Sequence, residues 1–126
     1  MGRAIECFLA ITSLAIGASH NLRAHDWIEV YGRLHHAGRP GAFANGALSL
    51  VPGAAVVAGH GSWSWPGGVL TAFGWLMVVK GLSCFLAPDM ALRSMARAPS
   101  RAGFVIAGTV LLVIGVWAGY CFWRSA

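Results

Sequence analysis

The sequence predicts an all-α membrane protein, with four transmembrane helices and short amphipathic helices at the cytoplasmic interface. Hydrophobic residues make up 57% of the 126-residue chain and charged residues only 10%, whereas a soluble domain usually carries about 25% charged residues. The apolar residues collect in four segments of nearly the length that a spanning helix needs, about 20 residues. The arginines collect in two of the three loops between those segments. The length suits a single domain, 1–126.

The four predicted spans cover residues 4–21, 42–59, 69–87 and 102–123. The first follows Arg3 and has the outline of a signal peptide, but Glu6 interrupts its start and three more apolar segments follow. We therefore expect it to remain as a membrane helix. The second is the weakest, because Gly46, Pro52 and Gly53 lower helix propensity. Gly and Pro are nevertheless commoner in membrane helices than in soluble ones.

The connecting loops alternate in charge. Loop two (60–68) has no Lys or Arg, and the termini carry only Arg3 and Arg124, whereas loops one and three contain Arg23, Arg33, Arg39, Arg93, Arg97 and Arg101. Since basic loops stay in the cytoplasm, we expect loops one and three there, with both termini and loop two outside a bacterial inner membrane. Positive charge in these short loops indicates contact with the lipid bilayer and its anionic headgroups, and no nucleic-acid partner.

Loops one and three each contain a predicted amphipathic helix. In loop one, Asp26 and Glu29 have the spacing of an N-terminal capping pair, and Gly38 is a natural stop. The apolar residues of that segment fall at i, i+3, i+4 and i+7 and are Trp27, Val30, Tyr31 and Leu34. In loop three, Pro88 and Asp89 mark a helix start. Such short helices are expected to lie in the membrane interface.

A shift of 62 residues aligns the two halves of the chain, 1–62 and 63–126. The six identities over this alignment place Arg39, Gly41, Gly46, Leu50, Val51 and Gly53 on Arg101, Gly103, Gly108, Leu112, Val113 and Gly115. Each half reads as a span, an amphipathic segment, Arg-x-Gly and a second span. This pattern predicts an internal repeat with a pseudo-twofold axis along the membrane normal.

The second half resembles a family of very small bacterial two-helix inner-membrane proteins of uncharacterised function. The residues that carry the resemblance are Lys80-Gly81-Leu82, Phe85-Leu86-Ala87-Pro88, Arg93, Arg101, Gly103, Gly108 and Gly115. The resemblance implies a membrane hairpin, and the whole chain would then be a tandem repeat of such hairpins. It implies nothing about chemistry. The chain departs from the family pattern at one position. The family has an acidic residue before the Gly-Leu pair, whereas this chain has Lys80 there.

The polar candidates inside the predicted spans are Lys80, Glu6 and Asn45. A lysine within a membrane helix costs about 2.5–3.5 kcal/mol on insertion scales and is a functional candidate by default. Lys80 either faces the bundle interior as a proton or anion site, or snorkels to the headgroups, which begin roughly 10 Å away near Pro88. We expect Glu6, near the outer end of its span, to be an interfacial acid. Asn45 and Ser49 are expected to hydrogen-bond between helices.

The histidines are weak candidates for a metal or haem site. His20, His25 and His36 are expected on the cytoplasmic side, but they lack acidic or thiolate company and follow no known ligand spacing. His60 is expected on the other side, so it cannot share a haem with His20. We therefore expect no cofactor and no metal.

Aromatic and small residues indicate how the helices sit in the bilayer and against each other. The predicted interface anchors are Trp27 and Tyr31 on the inner side and Trp63, Trp65 and Trp123 on the outer side. In the fourth span, Gly115-x-x-x-Gly119 and Gly103-x-x-x-Ala107 are patterns for close helix contact. That contact lies either inside the bundle or in a dimer.

The sequence favours a protein that is not an enzyme, since it contains no evident nucleophile–base pair, phosphate-binding loop or paired carboxylates. Three functions stay open. The first is an accessory or scaffold subunit that packs beside a larger membrane complex or associates with itself. The second is a small proton-coupled transporter or channel that uses Lys80 and Glu6. The third is a metal or haem binder.

Overall fold

The computed structural model describes residues 2–97 and 100–125, and these residues form six α-helices. In chain order they are α1 (Gly2–Leu22), α2 (Ala24–His36), α3 (Arg39–Gly59), α4 (Gly68–Leu86), α5 (Pro88–Arg97) and α6 (Arg101–Arg124). The four longer helices, α1, α3, α4 and α6, are long and apolar enough to cross a membrane. The prediction of an all-helical chain with four apolar helices of spanning length is confirmed.

The helix ends show where local sequence signals act. Helix α3 begins at Arg39, because Pro40 suits a first helical turn and Gly38 takes a positive φ of 72° that separates α3 from α2. Helix α3 continues through Pro52 despite the lost backbone donor. Helix α2 begins at Ala24, two residues before the predicted capping residue. Asp26 there pairs with Arg23 at 2.7 Å instead of capping the helix.

The long helices pack as two pairs, α1 along α6 and α3 along α4. Glycines bring the backbones together within each pair. A Cβ atom on Gly108 of α6 would lie 2.8 Å from the carbonyl oxygen of Gly17 in α1, and a Cβ atom on Gly46 of α3 would lie 3.1 Å from that of Gly81 in α4. Any side chain at these four positions would therefore force the helices apart.

The two pairs are each packed through corresponding glycines. Gly46 and Gly108 are 62 positions apart, as in the predicted repeat, and their partners Gly17 and Gly81 are 64 positions apart. The first long helix of each half thus packs along the last long helix of the other half. The two long helices of one half make much less extensive contact with each other. This exchange of partners differs from two side-by-side hairpins, which the family resemblance implies.

An apolar cluster joins the two pairs near the end that carries the α3–α4 loop. Its buried members are Leu9, Val56, Leu70, Ala118 and Cys121, which come from all four long helices. Trp117 of α6 packs beside this cluster and donates its Nε1 hydrogen to the carbonyl of Pro66 at 3.0 Å, which fastens the loop to α6. The outer faces of the long helices expose large apolar side chains.

Helices α2 and α5 pack together at the opposite end of the bundle. Arg39 at the start of α3 reaches Asp89 in the first turn of α5, with 3.3 Å between nitrogen and oxygen. The six loop arginines therefore lie at this end, which we call the basic end. The other end, with the 60–67 loop and both termini, we call the loop end.

Candidate functional site

A polar cluster occupies the loop end, with one side chain in or directly after each long helix; three of these side chains are buried, and that of Ser125 is exposed. Glu6 lies in the second turn of α1, His60 follows the last residue of α3, Thr71 lies in the first turn of α4, and Ser125 follows the last residue of α6. Glu6 is 7% exposed, His60 4% and Thr71 1%. We call these four residues the polar cluster.

Short contacts fix the order of the cluster. Thr71 Oγ1 lies 2.6 Å from the carbonyl oxygen of Ser62 and 3.0 Å from Nδ1 of His60. On the other ring nitrogen, His60 Nε2 lies 3.4 Å from Oε1 of Glu6. The hydroxyl of Ser125 donates to Oε2 of Glu6 at 2.9 Å. The result is a chain of polar contacts from the 60–67 loop to the end of α6.

Thr71 has one hydroxyl hydrogen, and its two carbonyl acceptors, Ser62 and His60, lie at 2.6 and 3.1 Å. With that hydrogen on a carbonyl, the Thr71 oxygen is left to accept from Nδ1 of His60. The ring then meets Glu6 through its other nitrogen, so His60 is the link between Thr71 and Glu6.

The cluster is not arranged for nucleophilic catalysis. The Thr71 hydroxyl donates to the backbone carbonyl of Ser62 at 2.6 Å, so its hydrogen is not directed at His60. A nucleophile needs the reverse, with the hydroxyl proton directed at the base. The acid and the hydroxyl lie on opposite ring nitrogens, so His60 links the helices through both edges of its ring.

The sequence analysis did not find this cluster, and it placed Glu6 at the interface. The structure buries Glu6, because His60 and Ser125 supply partners for both carboxylate oxygens. The predicted repeat, at its shift of 62, gave no signal for the cluster. At the shifts of 64 and 62 that the glycine contacts of the structure show, the positions that correspond to Glu6 and His60 are the apolar Leu70 and Phe122.

Lys80 lies far from Glu6 along the bundle, toward the basic end. Its side chain is exposed and lines a cavity of about 590 Å³ between α4 and α5, to which Tyr31 and Asn45 also contribute. Asn45 is buried and its Nδ2 lies 3.5 Å from the hydroxyl of Tyr31, a long contact between α3 and α2. Lys80 and Glu6, which the transporter alternative would use together, therefore lie toward opposite ends of the bundle.

The predicted aromatic anchors divide into two groups. At the loop end, Trp63, Trp65 and Trp123 are 64%, 74% and 81% exposed, as residues that face headgroups would be. At the basic end, Trp27 stacks on the ring of His20 at 4.2 Å and donates to Ser19 Oγ at 2.9 Å. The ring of Tyr31 lies edge-on to Phe104 at 5.5 Å. These inner aromatics fasten α2 to the bundle.

The small residues singled out in α6 have different environments. A Cβ atom on Gly115 would lie 3.0 Å from the backbone nitrogen of Leu14, so this glycine packs inside the α1–α6 pair. Gly119 faces open space, with no atom within 4 Å of a Cβ placed there. Gly103 is exposed, and its backbone N–H donates to the side chain of Ser100 at the start of the helix.

The histidines named as metal candidates are not gathered into a site. His20 is stacked between Trp27 and Phe104, and His25 and His36 are exposed on α2. Within residues 2–97 and 100–125, no group of three or more His, Cys, Asp or Glu side chains is placed to hold a metal ion.

No protein-family model, curated protein or solved structure matches the chain. The resemblance of the second half to two-helix membrane proteins therefore stays a prediction, and the function has to be argued from the polar cluster, the cavity at Lys80 and the packing.

Proposed function

We propose that the chain is a non-enzymatic accessory or scaffold subunit in a bacterial inner membrane, where it packs beside a larger complex or beside copies of itself. The arginines support an orientation with the basic end in the cytoplasm and the loop end and both termini outside.

The observation that carries this proposal is the apolar plug inward of the polar cluster. Leu9, Val56 and Cys121 lie about one helical turn from Glu6, His60 and Ser125, and each is at most 3% exposed. The plug separates the polar cluster from the cavity at Lys80. A channel or an open transport path needs polar groups or water along its length, and the bundle is closed by hydrocarbon at this depth.

The outer faces of the long helices support a role in packing. Val51 of α3 is 67% exposed and Val113 of α6 is 62% exposed, and the two occupy corresponding positions of the predicted repeat. The polar side chains of the cluster, by contrast, are bonded to one another. Apolar helix faces are therefore the main surface on offer, to lipid or to a partner helix.

The test is to extract the protein gently from its own membranes, separate it by blue-native electrophoresis and analyse the bands by mass spectrometry. We expect a stoichiometric larger complex or a defined homo-oligomer. A photo-crosslinking residue at Val113, with the matched variant at Val51, shows which face meets the partner. A crosslinker at the buried Leu9 is the control and should give intramolecular products alone. A monomer that crosslinks to nothing from either face would contradict the proposal.

A proton-coupled transporter is the second candidate, and the buried Glu6–His60 pair is the observation that favours it. Such transporters carry an ionisable group inside the membrane domain. This function requires a second conformation in which the apolar plug opens. Proton flux into liposomes that wild-type protein supports and Glu6→Gln abolishes would make it the preferred function; equal flux in both would remove it.

A further inference from the structure

We propose that the cavity beside Lys80 is a binding site for one anionic phospholipid, whose headgroup pairs with Lys80 and whose acyl chain lies along the apolar wall between α4 and α5. This inference is independent of the accessory role, because a lipid site serves a scaffold and a transporter alike.

Among residues 2–97 and 100–125, no acidic side chain is left to pair with Lys80. All four acidic side chains have another partner: Glu6 lies on His60, Asp26 on Arg23, Glu29 on Arg33 and Asp89 on Arg39. An ammonium group at membrane depth is costly without a counter-charge. The counter-charge for Lys80 must therefore come from outside the chain.

The volume and the lining of the cavity also fit a lipid. Its volume of about 590 Å³ falls within the range of ligand pockets, about 300–1,000 Å³. Leu86, Met90 and Met95 give it an apolar wall, while Ser83 and Ser94 bring hydroxyls near Lys80. An apolar wall beside one cation and several hydroxyls matches a molecule with one anionic head and a hydrocarbon tail.

Lys80 also lies at a depth from which its side chain can reach the lipid headgroups. Lys80 lies six residues before Leu86, the last residue of α4, which is roughly 9 Å along the helix axis. A lysine stem reaches outward over much of that distance, toward the level of lipid phosphates. Arg97 in the last turn of α5 adds positive charge at the same end. Basic pockets between membrane helices at the cytoplasmic side bind anionic lipid headgroups in this way.

The corresponding position of the first half does not repeat the site. The position that corresponds to Lys80 in the first half, at the shift of 64, is Ile16, which is exposed and apolar. The stoichiometry should therefore be one bound anionic lipid for each chain, and not two.

Native mass spectrometry of the full, delipidated protein tests the site. Dioleoylphosphatidylglycerol and the zwitterionic dioleoylphosphatidylcholine are titrated separately. We expect one phosphatidylglycerol to bind at least about tenfold more tightly than phosphatidylcholine, since a hydrogen bond to a charged group typically carries a factor of this size. Lys80→Gln should remove that preference.

Two further variants keep the test decisive. Ala91→Phe fills the cavity and leaves Lys80 in place, so it should also weaken phosphatidylglycerol binding, even if Lys80→Gln fails to fold. Arg93→Gln removes an exposed charge that does not line the cavity and should change the affinity less than twofold. The proposal is overturned if Arg93→Gln weakens binding as much as Lys80→Gln, if the two lipids bind equally, or if a crosslinker at Ser83 captures a protein partner instead of lipid.

Discussion

At the residue scale, Glu6 and His60 can be understood only together. Each is a polar group taken out of water, and each costs free energy unless the other supplies its hydrogen bond. In the second half of the chain the corresponding residues are Leu70 and Phe122, which need no partner. The pair is thus polar at positions whose counterparts in the other half are apolar.

This view predicts strong coupling between the two residues. Glu6→Leu should destabilise the protein by about 1–3 kcal/mol, because it leaves Nε2 of the buried His60 without a partner. His60→Phe should cost a similar amount, because it leaves Oε1 of the buried Glu6 carboxyl without a partner, while Ser125 still donates to Oε2. The double variant should recover most of the loss, since removing both partners is often nearly neutral. Unfolding in mixed micelles, followed by circular dichroism, measures all four forms.

The control for this cycle is the exposed pair Glu29–Arg33, whose nitrogen and oxygen lie 2.7 Å apart. Glu29→Leu should change the free energy of unfolding by less than about 0.5 kcal/mol, because exposed ion pairs contribute little. Strictly additive losses at Glu6 and His60 would mean that the two side chains do not stabilise each other.

From the sequence, the position of a single polar side chain along its helix could be predicted, but not which side chain of another helix it contacts. The membrane depth of Lys80 and the position of Glu6 near a span end follow from counting along a helix. That Glu6 lies against His60, 54 residues later, depends on how α1 and α3 approach each other. Apolar helix faces leave that approach open, so local patterns could not place the two side chains together.

At the element scale, the glycines determine which helices pair. Gly81 packs so closely on α3 that a Cβ atom there would lie 2.7 Å from the backbone nitrogen of Leu50. The neighbouring atoms belong to the helix backbone and cannot rotate away. In a bilayer, where apolar helix faces gain little from leaving lipid, such close contact is a main source of association energy.

The glycine contacts predict a selective response to added methyl groups. Gly81→Ala and Gly108→Ala should each destabilise the protein by about 1–3 kcal/mol, the usual cost of overpacking. Gly119→Ala is the matched control in α6, because nothing lies within 4 Å of its added Cβ. It should be neutral or stabilising by up to about 1 kcal/mol, from its better helix propensity. The same mixed-micelle unfolding measures the three variants, and a costly Gly119→Ala would show that this face is also covered.

The helices themselves were accessible from the sequence. Length and hydropathy located all four long helices to within about three residues of their observed ends, since a segment of that composition can satisfy its backbone inside hydrocarbon only as a helix. The amphipathic pattern located α2 and α5. Which helices pair could not be predicted, because Gly-x-x-x-Gly in α6 indicates close contact but does not indicate which helix makes it. Of the two glycines of that motif, only Gly115 packs against another helix of the bundle.

At the scale of the whole molecule, the two halves exchange partners. Helix α1 packs along α6 and α4 along α3, with corresponding glycines at both contacts. A repeat whose halves formed separate hairpins would separate easily at their interface. Here each half contributes one helix to each pair, so neither half contains both members of a tight pair.

Crosslinking in a variant without the native cysteines Cys7, Cys84 and Cys121 distinguishes exchanged pairs from separate hairpins. The rings of Phe43 in α3 and Phe85 in α4 stack with centroids 5.6 Å apart, so a cysteine pair at these positions should react with a short bifunctional reagent.

The same reagent should join α1 to α6 at the loop end through Arg3→Cys and Phe122→Cys, because the Arg3 guanidinium lies 4.5 Å from the Phe122 ring centre. Phe85→Cys with Ile106→Cys is the control, since it would react only if α4 and α6 formed the hairpin that the family resemblance implies. Efficient reaction of that control pair, in place of the other two, would assign the helix pairs to the separate halves. In that case the contacts described for the polar cluster would be wrong, because Ser125 at the end of α6 contacts Glu6 in α1 only if α1 packs along α6.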